Sequence, residues 1–238
     1  MIADPIRKPR VVYPTGDGKP VAETELHFRE ILAIVQVLDR LFAARPDVYV
    51  AANNFVYFEK GNPSACFSPD VYVVLGVQKK LRDTYMTWKE GGRVPSFVLE
   101  MTSASTKDED LGAKKKKCER LGVREYFMFD PYCEYLSPQI QGFRLEHGQY
   151  VQIPPDDHGR VFSDVLNYAL GANDELRITV YDPRTGEALP RMDELFRREA
   201  ERAEREAERA QHQAERAQRA ENEIERLKAE VERLKNRN

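Results

Sequence analysis

The sequence is poor in several features that would announce a function. Only three cysteines, Cys66, Cys118 and Cys133, occur in 238 residues. An odd number with no C-x-x-C spacing argues against a disulfide framework or a zinc site and suits a reducing cytoplasm. No apolar run approaches the roughly 20 residues needed to cross a bilayer. The opening MIADPIRKPR has no apolar core of the signal-peptide kind, so a soluble cytoplasmic protein is the expectation. An excess of one charge is missing too: 37 Lys+Arg stand against 40 Asp+Glu, a net charge of −3. A domain that binds nucleic acid through its overall charge is strongly basic. Any contact with DNA or RNA must therefore come from a local patch, and carboxylates grouped for a metal would themselves lower the net charge.

What is present divides near residue 190. The first part holds nearly all the aromatics and is mildly acidic, whereas the remainder is dominated by Glu, Arg, Ala, Gln and Lys. Three segments follow: a flexible, Pro- and Gly-rich lead-in over 1–20, a globular domain over 21–190, and a helical tail over 191–238. Within the domain, Leu26, Phe28, Ile31, Leu32, Ile34, Val35, Leu38, Leu41 and Phe42 recur at helical spacing, with Thr24 placed to cap them. Arg45-Pro46 ends that helix. VYVAANNFVYF (48–58), SPDVYVVL (68–75), SFVLEM (96–101) and EYFMF (125–129) read as strands. Residues 76–95 read as a loop with one helical turn. A charged helix over Lys107–Leu121 closes on Gly122. Later segments read as hairpins, one turning at His147-Gly148 and one between Pro183 and Gly186. The order α-β-β-β-α-β followed by hairpins predicts a mixed sheet with helices against it.

The tail places Ala200, Ala203, Ala207, Ala210, Ala214, Ala217, Ala220, Ile224, Leu227, Val231 and Leu234 at steps of three and four. That is a heptad seam with one stammer at Ala217–Ala220, and it predicts a coiled coil. A lone helix laced by i,i+4 Glu–Arg pairs is the alternative.

Two acids lie in or beside apolar strands: Asp70 in SPDVYVV and Glu100 in SFVLEM. An isolated carboxylate costs several kcal/mol there unless a cation or hydrogen bonds compensate. A pair on neighbouring strands favours a divalent cation, and oxygen ligands suit Mg²⁺ or Mn²⁺. The Met101 carbonyl could add a further oxygen. The plainer alternative has Asp70 capping a strand start and Glu100 pairing with an arginine. A metal-dependent nuclease strand would carry lysine two residues after the glutamate, where this chain has Thr102. On the next helix, Leu111, Cys118 and Leu121 form one stripe that includes Lys114, so Lys114 could supply the missing charge. The rest of the run, Lys115, Lys116 and Lys117, is read as turning outward to meet phosphates.

SPDVYVVLGV, VPSFVLEMTSAST, DEDLGAKKKKCERLGVREYFMFDP and EYLSPQIQGFRL, in that order, resemble the Uma-type (DUF820-like) endonuclease family of the PD-(D/E)XK nuclease superfamily. The resemblance runs over roughly Val21 to Pro190. It implies a restriction-endonuclease-like α/β (α+β) fold, a Mg²⁺- or Mn²⁺-dependent endonuclease and nucleic acid, DNA first, as substrate. It puts the metal-binding acids at Asp70 and Glu100 and the migrated lysine at Lys114. Asp110 would cap the helix or tune that lysine. Glu30 or Glu23 would be the first-helix glutamate, and His27 matches the opening of the family. Two departures are Cys118, where tyrosine is usual, and SAST in place of SPST. A catalytically silent nuclease-fold scaffold, oligomerised by its coil, is the rival reading. The tail predicts a homo-oligomer, most simply a dimer, or pairing with another coiled-coil protein.

Overall fold

The computed structural model describes residues 11–16, 24–103 and 106–235. The chain forms two units, one ending at Arg191 and the other beginning at Met192. In the first, helix α1 (Glu25–Leu41) starts on the Thr24 side chain, which accepts from the His27 N–H at 3.3 Å. It buries His27, Glu30, Ile31, Ile34, Val37 and Leu38, a narrower stripe than the periodicity predicts, since Phe28 and Leu32 face solvent.

The strands follow as β1 (Val48–Ala51), β2 (Val56–Tyr57), β3 (Cys66–Phe67), β4 (Val71–Leu75), β5 (Tyr85–Met86), β6 (Phe97–Met101) and β7 (Glu125–Phe129). Beyond them lie β8 (Ile140–Glu146), β9 (Gln149–Ile153), β10 (Val161–Ser163), β11 (Tyr168–Ala172) and β12 (Ile178–Tyr181). Six build the main sheet in the order β1-β4-β6-β7-β8-β9. Its one parallel pair is β6 with β7. A parallel pair needs a crossover, and the helix between Lys107 and Leu121 provides it. That helix ends at Gly122 with φ +80°, a left-handed residue that glycine adopts without penalty.

The strand expected over 48–58 is divided. Asn53 takes φ +52° and sends β2 into a separate three-stranded sheet with β3 and β5. The described part of the lead-in docks there. Tyr57 Oη donates to the Pro14 carbonyl at 2.6 Å, and the Tyr13 ring packs edge-on to Tyr57 at 5.1 Å. The rest of that segment, with Glu23, Ala104 and Ser105, lies outside the described residues.

Alternation gives the main sheet two buried faces. Val71, Val73, Phe97, Leu99, Met101, Phe127 and Phe129 share a core with α1. Tyr72, Val74, Val98, Tyr126 and Met128 share the other with Cys118, so this cysteine is a packing residue. The β8 strand passes close to β10: a Cβ on Gly142 would lie 2.7 Å from Val161 Cγ1 and 2.8 Å from Phe127 Cζ. Both neighbours are fully buried. Gly142→Ala is therefore expected to destabilise the domain by about 1–3 kcal/mol, read as a lower urea midpoint.

The described part of the second unit is one 44-residue helix, α3 (Met192–Lys235). No helix among the described residues is long and apolar enough to cross a membrane.

Candidate functional site

The site grows from the ladder between β4 and β6. Val71 pairs with Leu99 in antiparallel register, so one step further brings Asp70 opposite Glu100. The two are tied reciprocally: the Asp70 N–H donates to Glu100 Oε2 at 3.2 Å, and the Met101 N–H donates to Asp70 Oδ2 at 2.7 Å. Strand alternation turns Glu100 away from α1, onto the face that Val98 and Tyr126 share with the crossover helix. From α1, His27 Nε2 comes within 3.5 Å of Asp70 Oδ2.

The crossover helix is not regular. It widens into a π-turn over Glu109–Lys114 before continuing as α2 (Lys115–Leu121). The extra width turns Asp110, Lys114 and Cys118 to the sheet at four-residue spacing and leaves Leu111 half-exposed. The inward direction of Lys114 thus agrees with the sequence stripe, but Leu111 does not belong to it. π-turns inside helices occur often at functional sites. Lys114 Nζ reaches Glu100 Oε2 at 3.0 Å and Asp110 Oδ1 at 3.1 Å. Tyr126 Oη donates to the Asp110 carbonyl at 2.9 Å, holding the π-turn against the sheet. Sequence reading missed Tyr126. Its signal was the β7 alternation, which puts it level with Val98 on the face of Glu100.

Three carboxylates, Asp70, Glu100 and Asp110, thus gather around one ammonium. Burial pushes the Glu100 carboxyl well above the usual carboxylate range; Lys114 opposes this, while Asp70 and Asp110 reinforce it. Burial also raises Asp110, against the pull of Lys114. For Lys114, burial works against the charge, but Glu100, Asp110 and Asp70 outweigh it and raise the ammonium above its ordinary value. Even so, the cluster holds too little positive charge. Among the described residues, Glu100 Oε1 is buried with no hydrogen-bond partner, and so is Thr102 Oγ1.

The orphaned Glu100 oxygen, on a carboxyl group tied to Asp70, fits a hard divalent cation, for which oxygen is the preferred donor. Asp70 and Glu100 would hold it, with backbone and water oxygens completing the shell. No arrangement of three or more His, Cys, Asp or Glu side chains able to hold a metal occurs among the described residues. The protein would therefore supply few ligands, as Mg²⁺ sites usually do.

The other candidates divide. Asp110 and His27 join the cluster. Thr102 sits at the end of β6, its N–H given to the Phe129 carbonyl at 2.8 Å. The Met101 side chain is in the α1 core, so only its backbone can face the site. Glu30 is occupied elsewhere: Arg191 grips both its oxygens at 2.9 and 3.0 Å, and it accepts from the Ile178 N–H at 3.0 Å. It fastens α1 to β12. Glu30→Ala would leave Arg191 buried without this partner and is expected to cost about 3–5 kcal/mol in chemical denaturation. The lysine run does not turn outward as a whole. Lys115 Nζ lies 3.1 Å over the Phe143 ring, and Lys117 Nζ donates to the Cys66 carbonyl at 3.0 Å. Of these three, only Lys116 is exposed.

The structure defines an α/β protein with a carboxylate–lysine centre at the end of two central strands. The chain belongs to the Uma2 family, described as "Putative restriction endonuclease", whose profile matches residues 6–180. The helix α3 lies beyond the matched residues. No curated protein matches. Among solved structures, a putative nuclease belonging to DUF820 from Anabaena variabilis ATCC 29413 is similar, with a TM-score of 0.45 and 13% identity. The likeness covers 62% of this chain and 76% of that one.

Proposed function

We propose that this protein is a Mg²⁺- or Mn²⁺-dependent endonuclease that hydrolyses phosphodiester bonds in nucleic acid, with DNA as its substrate, in the cytoplasm. The observation that carries this reading is Lys114 set against Glu100 while Glu100 Oε1 stays buried and unpartnered among the described residues. Asp70, Glu100 and the Met101 carbonyl would hold the ion. When bound, such an ion supplies a Lewis acid and lowers the pKa of its water. The chain's own residues do the rest. Lys114 keeps a positive charge where negative charge builds on the phosphoryl group, a task worth most in a water-poor site. Asp110 anchors the ammonium, and His27 holds Asp70 in line. Lys116 meets the backbone phosphates.

Calorimetry with Mn²⁺ tests the reading. Wild-type protein is expected to bind the ion and to nick plasmid DNA, and Asp70→Asn to lose both. Protein that neither binds the ion nor cuts single- or double-stranded substrates would instead be a scaffold on a nuclease fold, a rival that the near-neutral charge favours. We also assign to α3 the assembly of the protein, with copies of itself or with another coiled-coil chain.

A further inference from the structure

We propose that two copies of this chain join through the last third of α3 as a parallel, in-register, two-stranded coiled coil. The inference deepens the assembly role given to α3 and is independent of the nuclease reading. It starts from an apolar stripe with no cover in its own unit. Ile224, Leu227 and Val231 are 51%, 49% and 51% exposed. With Lys228, Glu232 and Lys235 they line an open groove of about 530 Å³. The alanine half of the helix is different in kind. There the seam is built of methyl groups, and exposed i,i+4 pairs such as Arg202–Glu206 at 2.9 Å and Arg205–Glu201 at 3.3 Å brace the helix from within. Such pairs are worth only about 0.3–0.5 kcal/mol each and need no partner.

The charges beside the stripe select its occupant. Ile224 and Val231 fall at heptad positions a, and Leu227 at d. Position g is then Glu223 and Glu230, and position e is Lys228 and Lys235. In a parallel dimer each g residue meets the e residue five further on in the second copy. Glu223 faces Lys228 of the second copy, Glu230 faces Lys235, and symmetry repeats both pairs. An antiparallel dimer sets g against g and e against e, so glutamate would face glutamate and lysine would face lysine. The apolar choice agrees, because β-branched residues at a with leucine at d favour two parallel strands. The stripe is thus complementary to itself in one orientation.

The same rule limits the coil. Before the stammer at Ala217–Ala220, Glu199 at g would face Glu204 at e of the second copy, a like-charge pair. Tight closure therefore belongs to the C-terminal third.

The test uses the full chain and reads mass, not cleavage, so its outcome and that of the nuclease assay are separable. Analytical ultracentrifugation at micromolar concentration is expected to give twice the chain mass, and Leu227→Asp to halve it. Ile224→Cys and Val231→Cys, each made in a Cys133→Ser background, are both expected to form a covalent dimer on mild oxidation. An antiparallel pair lets at most one of the two positions meet itself. A monomeric wild type, a trimer or larger species, a Leu227→Asp protein that stays dimeric, or cross-linking at fewer than both cysteines would each overturn the proposal.

Discussion

Glu100→Gln is expected to stop cleavage while making the metal-free protein more stable at neutral pH. Glutamine keeps the shape of the side chain and can still accept from the Asp70 N–H and from Lys114, so packing in the strand pair survives. What disappears is a fully buried negative charge beside Asp70 and Asp110. Because burial raises the Glu100 carboxyl in the folded state, folding favours its protonated form. Its stabilising contribution is complete below the unfolded carboxylate range and is lost as pH rises through the raised folded value. The wild type should therefore weaken from acidic toward neutral pH relative to Glu100→Gln, and the gap between their melting temperatures should widen with pH. Lys114 keeps its ion pair with Asp110 at 3.1 Å, so the substitution removes surplus buried negative charge and does not strand the ammonium, and buried charge left uncompensated is costly. Cleavage should fall by about 10²–10³-fold or more, the scale on which a single electrostatic group in an active site acts. Thermal melts at pH 5 and pH 8 in chelator, with plasmid nicking in Mn²⁺, read both effects. A variant that melts below wild type at pH 8, or that nicks as well, would mean that Glu100 serves the fold alone.

That trade-off also explains why the centre of the site was legible and its surroundings were not. Asp70 and Glu100 stand out because an acid next to a β-branched run is anomalous, and strand alternation fixes the face each one takes. Lys114 was legible because the next helix must cover that face to complete a parallel crossover. Local rules failed where tertiary contacts decide. A period of 3.6 places Leu111 inward, but the π-turn, held by Tyr126 on the Asp110 carbonyl, widens the helix and turns Asp110 inward instead. Glu30 looked available because Arg191, its partner, lies 161 residues away. Lys115 and Lys117 looked like a solvated face because an aromatic ring and a carbonyl from other strands cannot be seen in a run of like charges. The small sheet of β2, β3 and β5 escaped for a similar reason: two-residue strands carry no alternation to read.

Lys114→Met carries the second large effect, and its signature differs from that of Glu100→Gln. Lys114 is the cation that touches both Glu100 and Asp110, and its side chain is only 11% exposed. The surrounding carboxylates raise its folded value, so its contribution is fully present below the unfolded lysine range and is lost only as pH climbs through the folded value. At pH 7 all of it is in force. Methionine retains most of the stem's packing but strands two buried carboxylates. Breaking a buried pair by removing one partner typically costs about 3–5 kcal/mol. The loss should shrink as pH falls, because burial raises both carboxyls and the protonated forms of Glu100 and Asp110 need the ammonium less. A divalent cation should repair part of the damage. If Asp70 and Glu100 hold Mn²⁺, the ion replaces missing positive charge and should raise the melting temperature of Lys114→Met more than that of wild type, without restoring cleavage. Melting curves with and without Mn²⁺ at pH 8 decide the matter. Equal shifts in the two proteins would separate the lysine from the metal, whereas a variant as stable as wild type would place Lys114 in solvent, outside the site altogether.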